Sequence, residues 1–268
     1  MDRSLLVALA VGVLQGIFEW LPISSEGNIT IVLSALGRSP EEVVAFALFL
    51  HLGTALSATV YYRGDIWDVL TLLPEWRPNH AFDGEQATVT FLAIGTLVSG
   101  VVGVTAYITL VDAFSALTGG VFIALVGVLL VLTGVFQYLS RDLVGGRTTP
   151  DGLDAVLVGI AQGVAILPGI SRSGMTTGTL LLRGHEGPQA FRLSFLLAIP
   201  ASVGGGLLAY ADTGLDVTYL AAAIALGAAA VVGYATIGAL MRVVDELPFW
   251  SVCVGLGVLA VLGGVLVI

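Results

Sequence analysis

The first residues with chemical potential lie in a short polar segment that interrupts an apolar stretch near the start of the chain. The segment supplies two carboxylates, two hydroxyls and an amide, from Glu19, Ser24, Ser25, Glu26 and Asn28. Gln15 lies four residues before Glu19 and therefore shares its helix face. A carboxylate deep in a membrane is costly and functional by default. We predict a base at Glu19 and phosphate chemistry at the serines, although both serines could serve as helix caps alone.

A second polar segment interrupts another apolar stretch with the sequence PGISRSG, whose candidate positions are Ser171, Arg172, Ser173 and Gly174. A guanidinium at membrane depth needs an anionic partner, and its planar fork suits phosphate oxygens. A structural ion pair between Arg172 and Glu19 is the alternative. A short helix follows each segment, so two positive helix ends face the same space. The two segments together predict an anion site.

Composition places both segments in a membrane protein. Hydrophobic residues make up 57% of 268 positions, charged residues only 11%, and mean hydropathy is +1.00. A soluble domain carries about 25% charged residues. The long apolar runs do not alternate in polarity, which excludes a β-barrel. The net charge of −9 argues against a nucleic-acid partner, and the single Cys253 excludes an internal disulfide or a cysteine metal site.

Hydropathy predicts an all-α integral membrane protein with six full spans, at about 43–62, 89–111, 116–139, 189–211, 217–240 and 248–268. Two other apolar stretches, 4–36 and 153–183, are broken at Leu21–Asn28 and Pro168–Gly174. We expect each of these to form a re-entrant pair of short helices. Gly64–His80 carries tryptophans among apolar positions and predicts an interfacial helix and loop.

The two broken stretches resemble each other. VGVLQG at residue 11 matches VGIAQG at residue 158, and a Leu-Pro pair and an Ile-Ser pair follow in both. This similarity predicts a duplication within a single membrane domain, residues 1–268. Repeat one covers about 1–112, a connecting span about 116–139, and repeat two about 150–268. Counting crossings makes the repeats inverted, and the breaks then meet near mid-membrane.

Arginine placement predicts the orientation. Most loop arginines fall on one side, which the positive-inside tendency makes cytoplasmic. Both termini and the active site are then expected to face outside, in a multi-pass protein of the cell membrane.

The paired motifs, with HLGT at His51–Thr54 and SFLLAIP at Ser194–Pro200, resemble the undecaprenyl-diphosphate phosphatase family of the bacitracin-resistance type. The match covers essentially the whole chain, and the absence of lysine favours an archaeal, salt-adapted member. The resemblance implies an inverted-repeat membrane fold that releases inorganic phosphate from a polyprenyl diphosphate, of undecaprenyl or dolichyl type, and so recycles a lipid carrier.

The resemblance also assigns roles. Glu19 matches the second glutamate of the family's E-x-x-x-E motif, Ser24 and Ser25 its serine pair, and Arg172 its phosphate-binding arginine. The first glutamate of that motif is Gln15 here, and the usual histidine after the serines is Asn28. Neither side chain can take a proton at neutral pH.

The predicted catalytic residues are therefore Glu19, Ser25 and Arg172, with Ser25 or a water as nucleophile. The predicted substrate-binding residues are Gln15, Ser24, Glu26, Asn28, Ser171, Ser173 and Gly174. A Mg²⁺ or Ca²⁺ ion between the diphosphate and Glu19 or Glu26 is compatible with these oxygen ligands. The alternative function is a transporter or flippase for a polyprenyl phosphate or another anion. The partners are the lipid substrate and the membrane, with a homo-oligomer left open.

Four further features are expected to have structural roles only. His51 is expected to be packed and hydrogen-bonded, His185 to be solvated in a loop, and Cys253 to be a small buried side chain. The run from Gly204 to Gly206 is expected to permit close helix packing.

Overall fold

The computed structural model describes residues 3–111, 113, 116–117, 119–143, 145–214 and 217–267. Over these residues the chain is helical and has no strand, only an isolated bridge between Arg147 and His185. The predicted repeat ends at residues 1, 112 and 268 lie outside the described part. The all-helical class is confirmed.

The helices follow one another as α1 (Arg3–Phe18), α2 (Ser25–Ala35), α3 (Pro40–Tyr61), α4 (Arg63–Leu72), α5 (Gln86–Ala106), α6 (Gly119–Ser140), α7 (Gly152–Val164), α8 (Arg172–Leu182), α9 (Gly187–Thr213), α10 (Tyr219–Glu246) and α11 (Phe249–Val267). In the described part, six helices are long and apolar enough to cross a membrane: α3, α5, α6, α9, α10 and α11. These are the six predicted spans. The apolar segments themselves, such as Gln86–Thr109 and Tyr219–Arg242, begin and end within three residues of the predicted bounds.

Four short helices make up the two broken stretches. The pair α1 and α2 has 16 and 11 residues, and the pair α7 and α8 has 13 and 11. Each is shorter than the roughly 20 residues that a bilayer crossing needs. We call residues 19–24 break 1 and residues 165–171 break 2. Both breaks end earlier than predicted, because Ser24 and Ser171 cap the helices that begin at the next residue.

The short first helices pack against spans from the other half of the chain. Helix α1 lies along α10, and α7 lies along α5. Gly16 of α1 and Gly163 of α7 occupy matching positions in the V-G-x-x-Q-G motifs. A Cβ atom on Gly16 would lie 2.8 Å from the backbone nitrogen of Gly233, and one on Gly163 would lie 2.9 Å from that of Gly103. Glycine is therefore required at both contacts, where the two helix backbones nearly touch.

Helix α4 and the segment after it lie on the surface. No residue of α4 is buried, and Trp67 is 67% exposed. Trp76 contacts the start of α5, where its indole Nε1 donates to Thr90 Oγ1 at 3.0 Å. The exposed apolar side chains fit the interfacial helix predicted from the sequence.

A cluster of charged side chains ties the start of α7 to the end of α8. The buried Asp154 accepts hydrogen bonds from Arg147 Nη2 at 2.9 Å, Arg183 Nε at 2.7 Å and His185 Nε2 at 2.9 Å. Burial by itself would raise the pKa of Asp154, but the hydrogen bonds from His185 and Arg183 outweigh it and hold that pKa well below its usual range. The prediction that His185 is solvated is wrong, because its ring is fully buried against this carboxylate.

Candidate active site

Glu19 lies at the start of break 1 and accepts hydrogen bonds from two sides. On one carboxylate oxygen, Oε2, Gln15 Nε2 and Ser25 Oγ each donate at 2.9 Å. On the other oxygen, Oε1, Arg172 Nη2 donates in an ion pair that joins the two breaks. The carboxylate is 5% exposed. A buried carboxylate with three charge-stabilising donors is held in one orientation, with the Ser25 hydroxyl directly against it.

Arg172 is the first residue of α8, and it has hydrogen-bond donors that Glu19 does not use. Its Nε and Nη1 atoms are buried and have no hydrogen-bond partner among the described residues. The guanidinium carbon lies 5.9 Å from the centroid of the buried Phe195 ring, a cation–π distance. A buried N–H group without an acceptor costs about 1–3 kcal/mol, so this arginine is set up to receive an anion in addition to Glu19.

Serine caps aim two helix N-termini at the same region. Ser24 Oγ accepts from the backbone N–H of Gly27 at 3.2 Å, and Ser171 Oγ accepts from that of Gly174 at 3.2 Å. The remaining first-turn N–H groups of α2 and α8 have no acceptor within their helices, which suits them to phosphate oxygens. Ser24 adopts φ 58°, the left-handed region that serine rarely visits. Such strain, of order 1–3 kcal/mol, is concentrated at functional sites.

The two breaks touch each other. A Cβ atom on Gly27, in the first turn of α2, would lie 2.7 Å from the backbone nitrogen of Gly169 in break 2. Gly169 itself has φ 97°, which favours glycine. These two glycines allow the backbones to meet and bring Ser25 and Arg172 into one site.

Helix α6 holds both breaks from behind through two side chains one helical turn apart. Thr133 Oγ1 donates to Gly169 O at 3.1 Å and accepts from the backbone N–H of Ser171 at 3.3 Å. Gln137 Nε2 donates to Pro22 O at 2.6 Å, and the same carbonyl accepts from the Cys253 thiol at 3.1 Å. These bonds satisfy carbonyls that the breaks remove from helical pairing. Cys253 is buried as predicted.

His51 enters the site from α3. Its Nε2 atom lies 3.3 Å from Glu19 Oε2, and its Nδ1 atom lies 2.9 Å from Ala47 O, a carbonyl to which it can only donate. The predicted hydrogen-bonded packing is confirmed, but the ring also lines the site cavity. Its polarity inside a predicted span was the signal that could have identified His51 as a site residue from the sequence.

A cavity of about 570 Å³ joins most of the predicted site residues. Its wall includes Glu19, Ser24, Ser25, Glu26, Ser171, Arg172 and Ser173. The other three predicted residues lie off this wall. Gln15 is fully buried behind Glu19, Asn28 Nδ2 donates to Ile23 O at 2.7 Å, and Gly174 faces Gln137. Their substrate binding stays a prediction.

Glu26 is the second carboxylate of the cavity. It is 5% exposed, and within the described part of the chain its buried Oε1 atom has no hydrogen-bond partner. Among the residues that the structure describes, no group of three histidine, cysteine, aspartate or glutamate side chains could hold a metal ion. Two carboxylates in one cavity fit a hard divalent cation only if substrate oxygens and waters complete its coordination.

Six candidate spans in the described part of the chain, two broken stretches and an ion pair between Glu19 and Arg172 at the cavity wall define the class, a polytopic membrane protein. A family model described as "Bacitracin resistance protein BacA" matches residues 8–261, and the chain belongs to this family.

Curated relatives match the chain over nearly its full length, and they include archaeal proteins. An undecaprenyl-diphosphatase of Haloarcula marismortui is 48% identical over 268 residues, covering 99% of both chains. One of Methanococcoides burtonii is 38% identical, covering 97% of this chain and 98% of that protein. One of Methanopyrus kandleri is 37% identical, covering 97% and 96%.

Proposed function

We propose that this protein is a membrane phosphatase that hydrolyses undecaprenyl diphosphate to the monophosphate and inorganic phosphate. The observation that carries the proposal is Arg172, a buried guanidinium with two unpaired donor atoms at the wall of the cavity. The names of the full-length relatives supply the substrate. The alternative of a transporter finds no support among them, because they are named as hydrolases.

In this proposal Arg172 binds the terminal phosphate, and the N-terminal amides of α2 and α8 receive its other oxygens. Ser25 Oγ, or a water in its place, attacks phosphorus while Glu19 takes the proton over the existing 2.9 Å hydrogen bond. The bond from phosphorus to the bridging oxygen breaks, and the lipid monophosphate leaves. An attack by water gives inorganic phosphate directly, whereas an attack by Ser25 gives a phosphoserine, which a water must then hydrolyse to release the phosphate and restore the hydroxyl. Positioning and charge neutralisation dominate such phosphoryl transfers.

A Mg²⁺ or Ca²⁺ ion belongs to the proposal as an electrostatic partner. Glu26, with its unpaired Oε1, and Glu19 are the residues that would hold it beside the diphosphate. Such an ion would neutralise charge on the phosphates as the leaving group departs.

The proposal includes the finer topology, with both broken stretches re-entrant and two inverted repeats at about 1–112 and 150–268. The first short helix of each repeat packs on a span of the other repeat, α1 on α10 and α7 on α5, and this reciprocal packing supports such a repeat. The site opens outward, towards the leaflet where the spent carrier is left. Single cysteines replacing Asp151 and Asp212 test this orientation, with the buried Cys253 as background. Impermeant reagents should reach Asp151→Cys only from inside and Asp212→Cys only from outside; the reverse would invert the assignment.

The function is tested by phosphate release from undecaprenyl diphosphate by purified protein in detergent, with Mg²⁺, with Ca²⁺ and with EDTA. Turnover that depends on Arg172 supports the proposal. Binding of the lipid without any phosphate release under all three conditions would contradict it.

A further inference from the structure

The site cavity extends away from the charged residues between two parallel spans. Beyond Arg172 its wall is formed by the second halves of α5 and α9, where most of the lining residues are glycine or apolar. Four of these lining residues are also exposed on the outside of the bundle: Gly100, Val104, Gly204 and Leu207. Residues that line both an internal cavity and the lipid-facing surface mark a lateral opening.

Contacts close the gap between α5 and α9 at both ends. At one end, a Cβ atom on Gly95 would lie 3.0 Å from the Leu197 side chain. At the other end, Tyr107 OH donates to Asp212 Oδ2 at 3.0 Å. Twelve residues separate Gly95 from Tyr107, roughly 18 Å along a helix. We call the gap between these two contacts the α5–α9 window.

Three glycines of this window do not serve helix packing. A Cβ atom on Gly100, Gly204 or Gly205 would meet no atom of the described residues within 4 Å, whereas one on Gly206 would lie 2.7 Å from Leu52. The expectation that the glycine run permits close packing therefore holds for Gly206 and is wrong for its two predecessors. The first two keep open space at a wall that larger side chains would fill.

A second observation indicates a ligand in this part of the cavity. Gln162 on α7 lines the cavity and is 4% exposed, and its Nε2 atom donates to Ser99 Oγ and Leu197 O, both at 3.2 Å. Its Oε1 atom is buried and accepts no hydrogen bond from any residue that the structure describes. A buried acceptor of this kind is usually satisfied by a bound donor, such as a protonated phosphate oxygen or a water. Polar binding and apolar space thus adjoin in one cavity.

We propose that the α5–α9 window is the passage through which the prenyl tail of the substrate leaves the site and enters the lipid. The inference rests on the proposed function. The cavity size suits a headgroup with the first isoprene units rather than a whole undecaprenyl chain. The rest of the tail must lie outside, and the window provides an apolar exit at membrane depth that is continuous with the phosphate site.

Leucine substitutions in the window test the proposal with long and short substrates. Gly204→Leu should raise the KM for undecaprenyl diphosphate at least about tenfold, within the range for one altered contact in an apolar pocket. The kcat/KM for geranyl diphosphate, whose short tail stays inside the cavity, should change less than about twofold. Gly100→Leu, on the opposite wall, should behave alike and serves if the first variant does not fold.

Gly255→Leu on α11 is the matched control, because it also lies in open space on the exposed surface and does not line the cavity. It should change neither substrate. Equal losses of activity on both substrates, or unchanged kinetics on undecaprenyl diphosphate, would overturn the proposal that the prenyl tail leaves through the window. Displacement of a co-purifying membrane lipid by the leucines would not rescue it. A wild type that hydrolyses neither substrate would instead reject the proposed function.

Discussion

Glu19 and Arg172, 153 residues apart in the chain, form an ion pair that joins the two helix breaks. A buried charge is costly alone, and each of these side chains is the counter-ion of the other. In the proposed mechanism an incoming phosphate binds Nε and Nη1 of Arg172 while Nη2 stays on Glu19, so that two anions share the guanidinium. The shared charge weakens the hold of Arg172 on the carboxylate that is proposed to accept the proton.

The Glu19→Gln variant separates these two effects. We expect kcat to fall at least about 10²-fold, the low end for a positioned base, while KM stays equal or falls because Arg172 no longer shares its charge with a second anion. Steady-state phosphate release measures both constants, and Glu26→Gln is the companion variant. A wild-type kcat in Glu19→Gln would remove Glu19 as the base and leave Glu26 as the next candidate.

Arg172→Ala should abolish turnover, by about 10³-fold or more, because no other described residue of the cavity wall carries a fixed positive charge. Arg172→Lys should also be severe, since a point charge cannot hold two oxygens side by side. Arg77→Ala, on the exposed loop after α4, is the control and should be fully active. Normal phosphate release by Arg172→Ala would exclude it from the site.

The hydrogen bonds from α6 to the two breaks predict that removing either set lowers the activity. Gln137→Leu removes the bond to Pro22 O in break 1, and Thr133→Val removes both bonds to break 2. Each should lower kcat about tenfold or more, since displacements of about 1 Å cost up to 10²-fold. Thr105→Val, whose hydroxyl bonds only its own helix, is the control. Full activity with either α6 variant would show that its break is held by other contacts.

Local sequence predicted the breaks well because their causes are local. Proline, serine and glycine interrupt a helix wherever they cluster, and Ser24 and Ser171 cap the next helix within three residues. The partners of the breaks could not be predicted in the same way. Thr133 lies 36 residues from its partner Gly169, and Gln137 lies 115 residues from its partner Pro22. Only their polarity within an apolar span pointed to them.

The burial of His185 also could not be predicted from its local sequence. Its sequence neighbours are polar and glycine-rich, which is typical of a solvated loop. Its burial depends on Asp154, 31 residues away, and on the arginines that share this carboxylate. Long-range pairing of this kind leaves no periodic pattern in the sequence.

Asp154 predicts how stability depends on pH. Its folded pKa lies below its ordinary value, so its contribution is complete above pH about 4 and is lost as pH falls towards the folded pKa. Asp154→Asn should destabilise the protein by roughly 3 kcal/mol at pH 7, because it removes the buried charge on which the His185 ring and both arginines converge. The difference from wild type should shrink as pH falls below 4. Thermal unfolding in detergent from pH 3 to 7 measures it.

Asp142→Asn is the control for that series, because Asp142 is 81% exposed and pairs only with the neighbouring Arg141. Exposed pairs contribute about 0–1 kcal/mol, so its unfolding temperature should follow wild type at every pH. A difference between Asp154→Asn and wild type that stays constant down to pH 3 would contradict the role of the carboxylate charge.

Gln15 offers the sharpest test of how this site differs from the pattern with two glutamates. Its Nε2 donates to Glu19 Oε2 at 2.9 Å, and its Oε1 is buried without a partner. Gln15→Glu replaces that donor with a second carboxylate, and two carboxylates at this distance must share a proton or bind a cation. In EDTA at pH 8 we expect kcat to fall at least about tenfold below wild type, and Mg²⁺ or a lower pH to restore it. Gln15→Met removes the same hydrogen bond without adding charge, so its loss should not respond to Mg²⁺. Identical responses of the two variants would mean that Gln15 only positions Glu19 and that added charge at this point has no effect on the chemistry.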